Sequence, residues 1–480
     1  MKQTDWKIIY SSYTGVAKGA LRLLSKEVSK YVVREEGIYR LYILPCEKEG
    51  CEVSKNAFIL GLYQDSPLIQ SLVEESEIKE GGFLVKVIEN PADAMGRLVI
   101  LTAKDEKELL YSVVSFIDDY LPGAGSPRNG CIFMPNRAFD ERLKLYSYTA
   151  APEHPVRSIF TWGHNINNYR EYIDNMVRAG YNELILWNDY VPVNIDEVIS
   201  YAHEYGISII LGYTWGWKSF RKAENITDEQ IEALKVSIIK EFEECYAPIN
   251  CDGIYFQSFT ERNTEYIGDK LVARVVTDMV NEISDELLKI KPGMRIIFGL
   301  HATSVVNRLD EIARVDKRVE ILWEDCGDFP YDYESRIWNQ EKYDASFEFT
   351  KKLLELRGGV GVGIVFKGVM MMDWSQFIYQ RGPYVLGESA ESQCDHDRRI
   401  REAAWRRYSA EWMQYGEAAG RMMKFINDNE LTPTTMCLAG TFDGGAYLPF
   451  AVCGQMFRGY DGDYPTLLNR VARRSYISLG

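Results

Sequence analysis

Apolar positions in the first part of the chain follow two patterns. FILGLY (58–63) and RLVILTA (97–103) are short continuous apolar runs, as expected of strands buried on both faces. DEKELLYSVVSFIDDYL (105–121) instead spaces its apolar residues helically, opens with an acidic first turn and stops before Pro122-Gly123. Together these segments predict a small α/β layer domain over residues 1–150. It contains no GxGxxG or Walker sequence, so no nucleotide site is assigned to it.

From Val156 the pattern becomes a repeating strand-then-helix rhythm. RSIFTWGH (157–164) precedes a helix that stops at Gly180, and NELILWND (182–189) precedes one that stops at Gly206. ISIILGYTWGW (207–217) precedes a helix opened by Thr227-Asp228, with Gln230 placed for a capping box. DGIYFQSFTE (252–261) leads into a long helix ending before Pro292-Gly293, and MRIIFGLHAT (294–303), VEILWEDCG (319–327) and GVGVGIVFKG (359–368) continue the series. This rhythm predicts a (β/α)8 TIM barrel over 151–388, with its eighth strand in FIYQRGPYVLG (377–387). A doubly wound sheet is the alternative, but its glycine-rich first crossover is missing. After Glu388 the chain reads as helix, notably the amphipathic stretch 398–427, so 389–480 is expected to be a mainly helical C-terminal domain.

Composition narrows the partners. Lys and Arg number 55 against 70 acids, a net charge of −15, which argues against nucleic acid or an anionic membrane. No apolar run approaches the ~20 residues of a spanning helix, and the N-terminus lacks the basic-then-apolar pattern of a secretory signal. A cytoplasmic location is the expectation, and a second copy of the chain is an allowed partner. The nine cysteines form no CxxC pair and read as reduced, mostly buried small hydrophobes. With five histidines and no HxH or HExxH, no metal and no cofactor is expected.

In barrel enzymes the chemistry sits at the C-terminal ends of the strands. The first predicted strand ends in Trp162 and His164, the second in Trp187, Asn188 and Asp189, and the third in Tyr213, Trp215 and Trp217. The fourth ends in Glu261 and Arg262, the fifth in His301, the sixth in Trp323, Glu324 and Asp325, and the seventh in Lys367, followed by Asp373 and Trp374. Tryptophan interleaved with hydrogen-bonding groups suits the flat apolar face and polar edge of a sugar ring, so a small carbohydrate is the expected substrate.

Cleaving a glycosidic bond usually needs two carboxylates. Alternation along Tyr255, Gln257, Phe259 and Glu261 turns Glu261 inward, with Phe256 and Phe259 nearby to favour its acid form. An ion pair with Arg262 is the plainer use of Glu261. Asp325 is favoured as the second carboxylate over the adjacent Glu324 and over Asp373. Arg262 and Lys367 are candidates for an anionic substituent, and His164 and His301 for sugar hydroxyls. Arg157, at the start of the first strand, suits either a substrate contact or a barrel-floor salt bridge.

Carried by these residues, the chain resembles glycosidases that set a small α/β domain before a catalytic barrel: the xylan α-glucuronidases of families 67 and 115 and, more distantly, the β-N-acetylhexosaminidases. FILGLYQDSPLIQSLV, GGFLVKVIE and RLVILTAKDEKELLYSVVSFIDDYL follow the order of the accessory domain. HPVRSIF and FQSFTER resemble the family 67 pattern, which implies the general-acid role for Glu261, and ILWEDCGDF resembles the family 115 acidic pair, which implies a pocket role for Asp325. Two departures stand out: Thr260 precedes Glu261 where hexosaminidases carry aspartate, and Lys367 stands where family 115 carries histidine. The expectation is an exo-acting, α-glucuronidase-like glycoside hydrolase. A retaining hexosaminidase, a barrel that only binds carbohydrate, and a lyase or isomerase are the alternatives.

Overall fold

A computed structural model describes residues 6–29, 44–121, 143–161, 166, 168–187, 190–324, 340–367, 383–387, 409–439 and 447–472. They group into two units, one built on the chain up to Glu153 and the other on His154–Ser200 and Ile207–Val471.

The first unit is a six-stranded sheet of β1 (Trp6–Tyr10), β2 (Cys46–Lys48), β3 (Asn56–Leu62), β4 (Phe83–Asn90), β5 (Asp93–Ala103) and β6 (Tyr146–Ala150), in the order β2-β1-β3-β5-β4-β6. The β2, β1, β3 and β5 strands run parallel, while β4 pairs antiparallel with β5 and β6. Ile9, Ile59, Leu98 and Ile100 form a buried core on it with Ile69 and Val73. The helix read from 105–121 is present as Glu106–Ser115, capped where the Asp105 carboxylate accepts the Glu108 N–H at 2.9 Å, and it runs on through Phe116–Tyr120.

The second unit is a closed barrel of eight parallel strands, as the strand–helix rhythm predicts. They are β7 (Val156–Phe160), β8 (Glu183–Trp187), β9 (Ser208–Gly212), β10 (Gly253–Gln257), β13 (Arg295–Leu300), β14 (Val319–Trp323), β15 (Val362–Lys367) and β16 (Thr435–Ala439), with a small hairpin of β11 (Tyr266–Ile267) and β12 (Lys270–Leu271) outside the ring. Local signals set the intervening helices. Gly180, at φ 101°, ends Tyr169–Ala179, and Thr227 with Gln230 completes the capping box of Asp228–Glu241.

One strand differs from expectation. The eighth is not in 377–387, of which the described residues 383–387 form a turn; it is Thr435–Ala439, hydrogen-bonded between β15 and β7. The segment beyond Glu388 therefore supplies a barrel strand. It also supplies the helix Tyr447–Phe457, whose Phe450 stacks on Tyr181 at 4.9 Å and accepts the Tyr181 hydroxyl at 2.8 Å through its carbonyl. Among the described cysteines Cys251, Cys437 and Cys453 are buried, whereas Cys46 and Cys245 are exposed. No helix among the described residues is long and apolar enough to cross a membrane.

Alternation fills the barrel in layers. At the N-terminal end the Arg295 guanidinium pairs with Glu183 and, at 2.7 Å, with Glu320, while Ser158 donates to Glu183. Burial pushes the Glu183 carboxyl up, with Arg295 pulling it back. Burial works against the Arg295 charge, but the two carboxylates outweigh it and hold the guanidinium above its ordinary range. The next layer is apolar: Phe160, Ile185, Ile210, Tyr255, Ile297, Leu322, Val365 and Cys437. Above it lies the mouth.

Candidate active site

Inward positions at the C-terminal ends of the strands define the mouth. Trp187, the last residue of β8, packs on Phe160 and Tyr255 at ring separations of 5.9 and 5.6 Å. Gln257 ends β10 two residues beyond Tyr255 and shares its inward face. Glu324 directly follows β14, two residues beyond the interior Leu322, and its side chain is 0% exposed. Lys367 ends β15, two residues beyond Val365, and its charge is felt by the Cys437 thiol below.

These side chains are joined by hydrogen bonds. The Gln257 amide donates from Nε2 to the Tyr255 hydroxyl at 3.1 Å and to Glu324 Oε1 at 2.5 Å. The other oxygen, Oε2, lies 3.0 Å from His301 Nε2, just beyond β13. A carboxyl removed from water, oriented by an amide and set against an imidazole is a competent proton-transfer group.

Glycine makes the room. A Cβ at Gly299 would lie 2.0 Å from Tyr255 Oη and 2.4 Å from Glu324 Oε1. On β9, a Cβ at Gly212 would lie 2.9 Å from that of Trp187.

Glu261 occupies the rim and not the interior. Pairing of β10 ends at Gln257, so the chain turns through Phe259-Thr260 and strand alternation no longer governs position 261. Its carboxylate accepts the Trp217 indole N–H at 2.7 Å and pairs with Arg221 at 3.0 Å, with the Arg221 guanidinium lying 4.3 Å over the Trp217 ring. The apolar surroundings expected for it are used elsewhere: Phe256 stacks on Trp215 at 3.6 Å and Phe259 packs on Phe220 at 5.7 Å. Trp217 in turn meets Trp187 edge-on at 6.2 Å. Glu261 is thereby tied to the mouth through two tryptophans.

Several expected substrate contacts are corrected. Tyr213 and Trp215 face the helix layer, where Tyr213 stacks on Tyr246 at 4.4 Å and Trp215 on Phe256. Trp323, between the inward Leu322 and Glu324, also points outward and packs on Phe349 at 5.1 Å. Arg262 donates to the carbonyls of Phe220, Arg221 and Ala223 at 2.7–3.0 Å, so it braces the loop after β9 and does not read an anion. Arg157 stands at the opposite end of the barrel, bonded to the carbonyls of Gly180 and His154 at 2.6 Å. That placement corrects the expected substrate contact. Trp162, His164, Asn188, Asp189, Asp325, Asp373 and Trp374 lie outside the described residues.

No family profile matches the chain, and no curated protein is similar to it in sequence. Solved structures are similar at low identity. A β-N-acetylhexosaminidase shares 11% identity over 90% of this chain and 94% of that one, with a TM-score of 0.45. A family 89 glycoside hydrolase from Clostridium perfringens, solved with PUGNAc, shares 10% identity with a TM-score of 0.47; the match covers 95% of this chain and 51% of that one, so this chain spans about half its length. The cellulose synthase subunit Z of Clostridioides difficile shares 12% identity over 66% of this chain and 99% of that one, with a TM-score of 0.34. Likenesses this distant carry no activity over to this chain.

Two site residues were not singled out from sequence. Gln257 was marked as inward-facing, but nothing in the sequence paired it with a carboxylate 67 positions away. Arg221 lies in a loop whose path no periodicity describes.

Proposed function

We propose that this chain is an exo-acting glycoside hydrolase whose substrate enters the barrel mouth, with Glu324 as the proton-transfer group and Glu261 as the second carboxylate. The observation that carries the reading is Glu324: a wholly buried carboxyl at the C-terminal end of a barrel strand, bonded to Gln257 and facing His301. Taking a carboxyl out of water costs several kcal/mol, and unlike Glu183 at the floor this one stands at the end of the barrel where the chemistry of barrel enzymes sits. Trp187 and Trp217 supply the aromatic face for a sugar ring. In the bound state Glu324 exchanges a proton with the glycosidic oxygen, and Glu261 is the candidate to activate water or attack the anomeric carbon. Separations of about 6.5–9.5 Å favour inversion and about 5–5.5 Å retention.

An α-glucuronidase-like specificity rests on Lys367, since Arg262 is committed to backbone carbonyls. A charge-assisted bond from its ammonium to a uronate carboxylate fits that position. The hexosaminidase alternative is weakened by Thr260, buried in the place of the orienting aspartate.

One observation favours a barrel that binds carbohydrate without cleaving it: Glu261 is already paired with Arg221 and Trp217. A panel of aryl glycosides and aldouronic acids separates the readings. Release of aryl alcohol or uronic acid supports the hydrolase. Saturable binding with no release across the panel overturns it in favour of the binding barrel.

A further inference from the structure

We infer that Gln257 is a positioning residue for Glu324, braced by the Tyr255 hydroxyl, and that by holding Oε1 it turns Oε2 towards His301. The inference rests on the hydrolase reading for its kinetic consequence, but its geometry stands on the barrel alone.

A glutamine side chain carries two N–H donors on Nε2 and one carbonyl acceptor. Here Nε2 reaches two oxygens, Tyr255 Oη at 3.1 Å and Glu324 Oε1 at 2.5 Å, and Gln257 is itself 2% exposed. The donor that meets Glu324 is therefore aimed by the second bond to Tyr255, a ring locked between Phe160 at 4.8 Å and Trp187 at 5.6 Å. An unbraced amide could rotate about its last torsion, which is soft. The carboxylate is correspondingly polarised: Oε1 is committed to the amide, and Oε2 faces the His301 imidazole at 3.0 Å. The lack of a Cβ at Gly299 lets the Tyr255 hydroxyl and Oε1 lie side by side.

A neutral amide has a specific consequence at this position. It donates to Glu324 without adding charge and cannot titrate, so it holds the carboxyl's orientation without competing for its proton. A carboxyl in its place would titrate. Ionised, it would set two like charges together; protonated, it would again offer an O–H donor to Oε1.

The test uses the full chain with Gln257→Leu and Gln257→Glu. Folding is checked by circular dichroism, and the His301 ring resonances are recorded by NMR at one fixed neutral pH, with no substrate present. The positioning role predicts that Gln257→Leu displaces the His301 ring resonances, because the carboxylate beside the ring is no longer held, and, with a cleavable glycoside, lowers kcat about a hundredfold while changing KM less than about threefold. Gln257→Glu is expected to lose activity at neutral pH and to regain it towards acid pH, where its carboxyl can donate again, whereas Gln257→Leu shows no such recovery. A folded Gln257→Leu variant with unmoved His301 ring resonances overturns the inference whether or not a substrate has been found. An acid-side profile shared by both variants overturns it as well. Failure of the wild-type chain on every glycoside, with the His301 resonances still displaced by Gln257→Leu, overturns the hydrolase reading and upholds the clamp.

Discussion

Glu324 Oε2 and His301 Nε2 stand 3.0 Å apart, brought together from adjacent strands at the C-terminal end of the barrel, with the carboxylate side chain wholly buried and the imidazole 14% exposed. The glutamate is thus shut off from solvent while the histidine retains some access, which on the hydrolase reading gives a proton a path from water to the carboxyl through the imidazole. His301→Phe keeps the ring's bulk and removes that path. Turnover of a cleavable glycoside should fall about a hundredfold or more with KM little changed. Stopped assays on the folded variant check it.

Gly299 is the space into which two functional oxygens fit. Gly299→Ala would place a methyl 2.0 Å from Tyr255 Oη and 2.4 Å from Glu324 Oε1, too close for the two oxygens to stay where they are. Overpacking of this kind costs about 1–3 kcal/mol. Urea unfolding should show a lower midpoint at unchanged m-value, together with a loss of activity larger than the stability change alone would explain.

At the floor, Arg295 neutralises Glu183 and Glu320, whose side chains are nearly inaccessible. Arg295→Met should destabilise the fold by about 3 kcal/mol at neutral pH, because two buried carboxylates lose their counter-charge. The pH dependence follows from Glu183, whose carboxyl is raised above its ordinary 4.5 by burial. A carboxyl with a raised folded-state pKa favours folding when protonated. The penalty for ionising it in the fold is absent below the unfolded pKa and complete above the folded one. The deficit of the variant should therefore shrink as pH falls towards 4.5, which denaturation series at several pH values will show.

The fold was largely legible because seven strands are short apolar runs set off by capping residues, glycines or prolines, such as Gly180, Gly206 and Pro292-Gly293. The eighth was not: residues 368–434 separate β16 from β15, far longer than an ordinary barrel connection, so the strand-then-helix rhythm is lost before TMCLA is reached. Inside a strand, alternation was a reliable guide, turning Tyr255 and Gln257 into the barrel. It failed for Glu261 because the strand stops at Gln257 and the next residues turn. The tryptophans misled for a different reason. A large aromatic near a strand end packs against helices as readily as it lines a mouth, so Trp215 and Trp323 belong to the outer layer while Trp187 faces in. The choice between Glu324 and Asp325 turned on one residue of register. The described structure sets Glu324 in the interior; Asp325 is outside the described residues.

The most direct test compares Glu324→Gln with Glu261→Gln on one cleavable glycoside, measuring kcat, KM and ligand affinity with folding confirmed for each. Glu324 as the proton-transfer group requires that Glu324→Gln lower kcat about a thousandfold while the ligand still binds. A folded Glu324→Gln variant that turns over at close to the wild-type rate would contradict it.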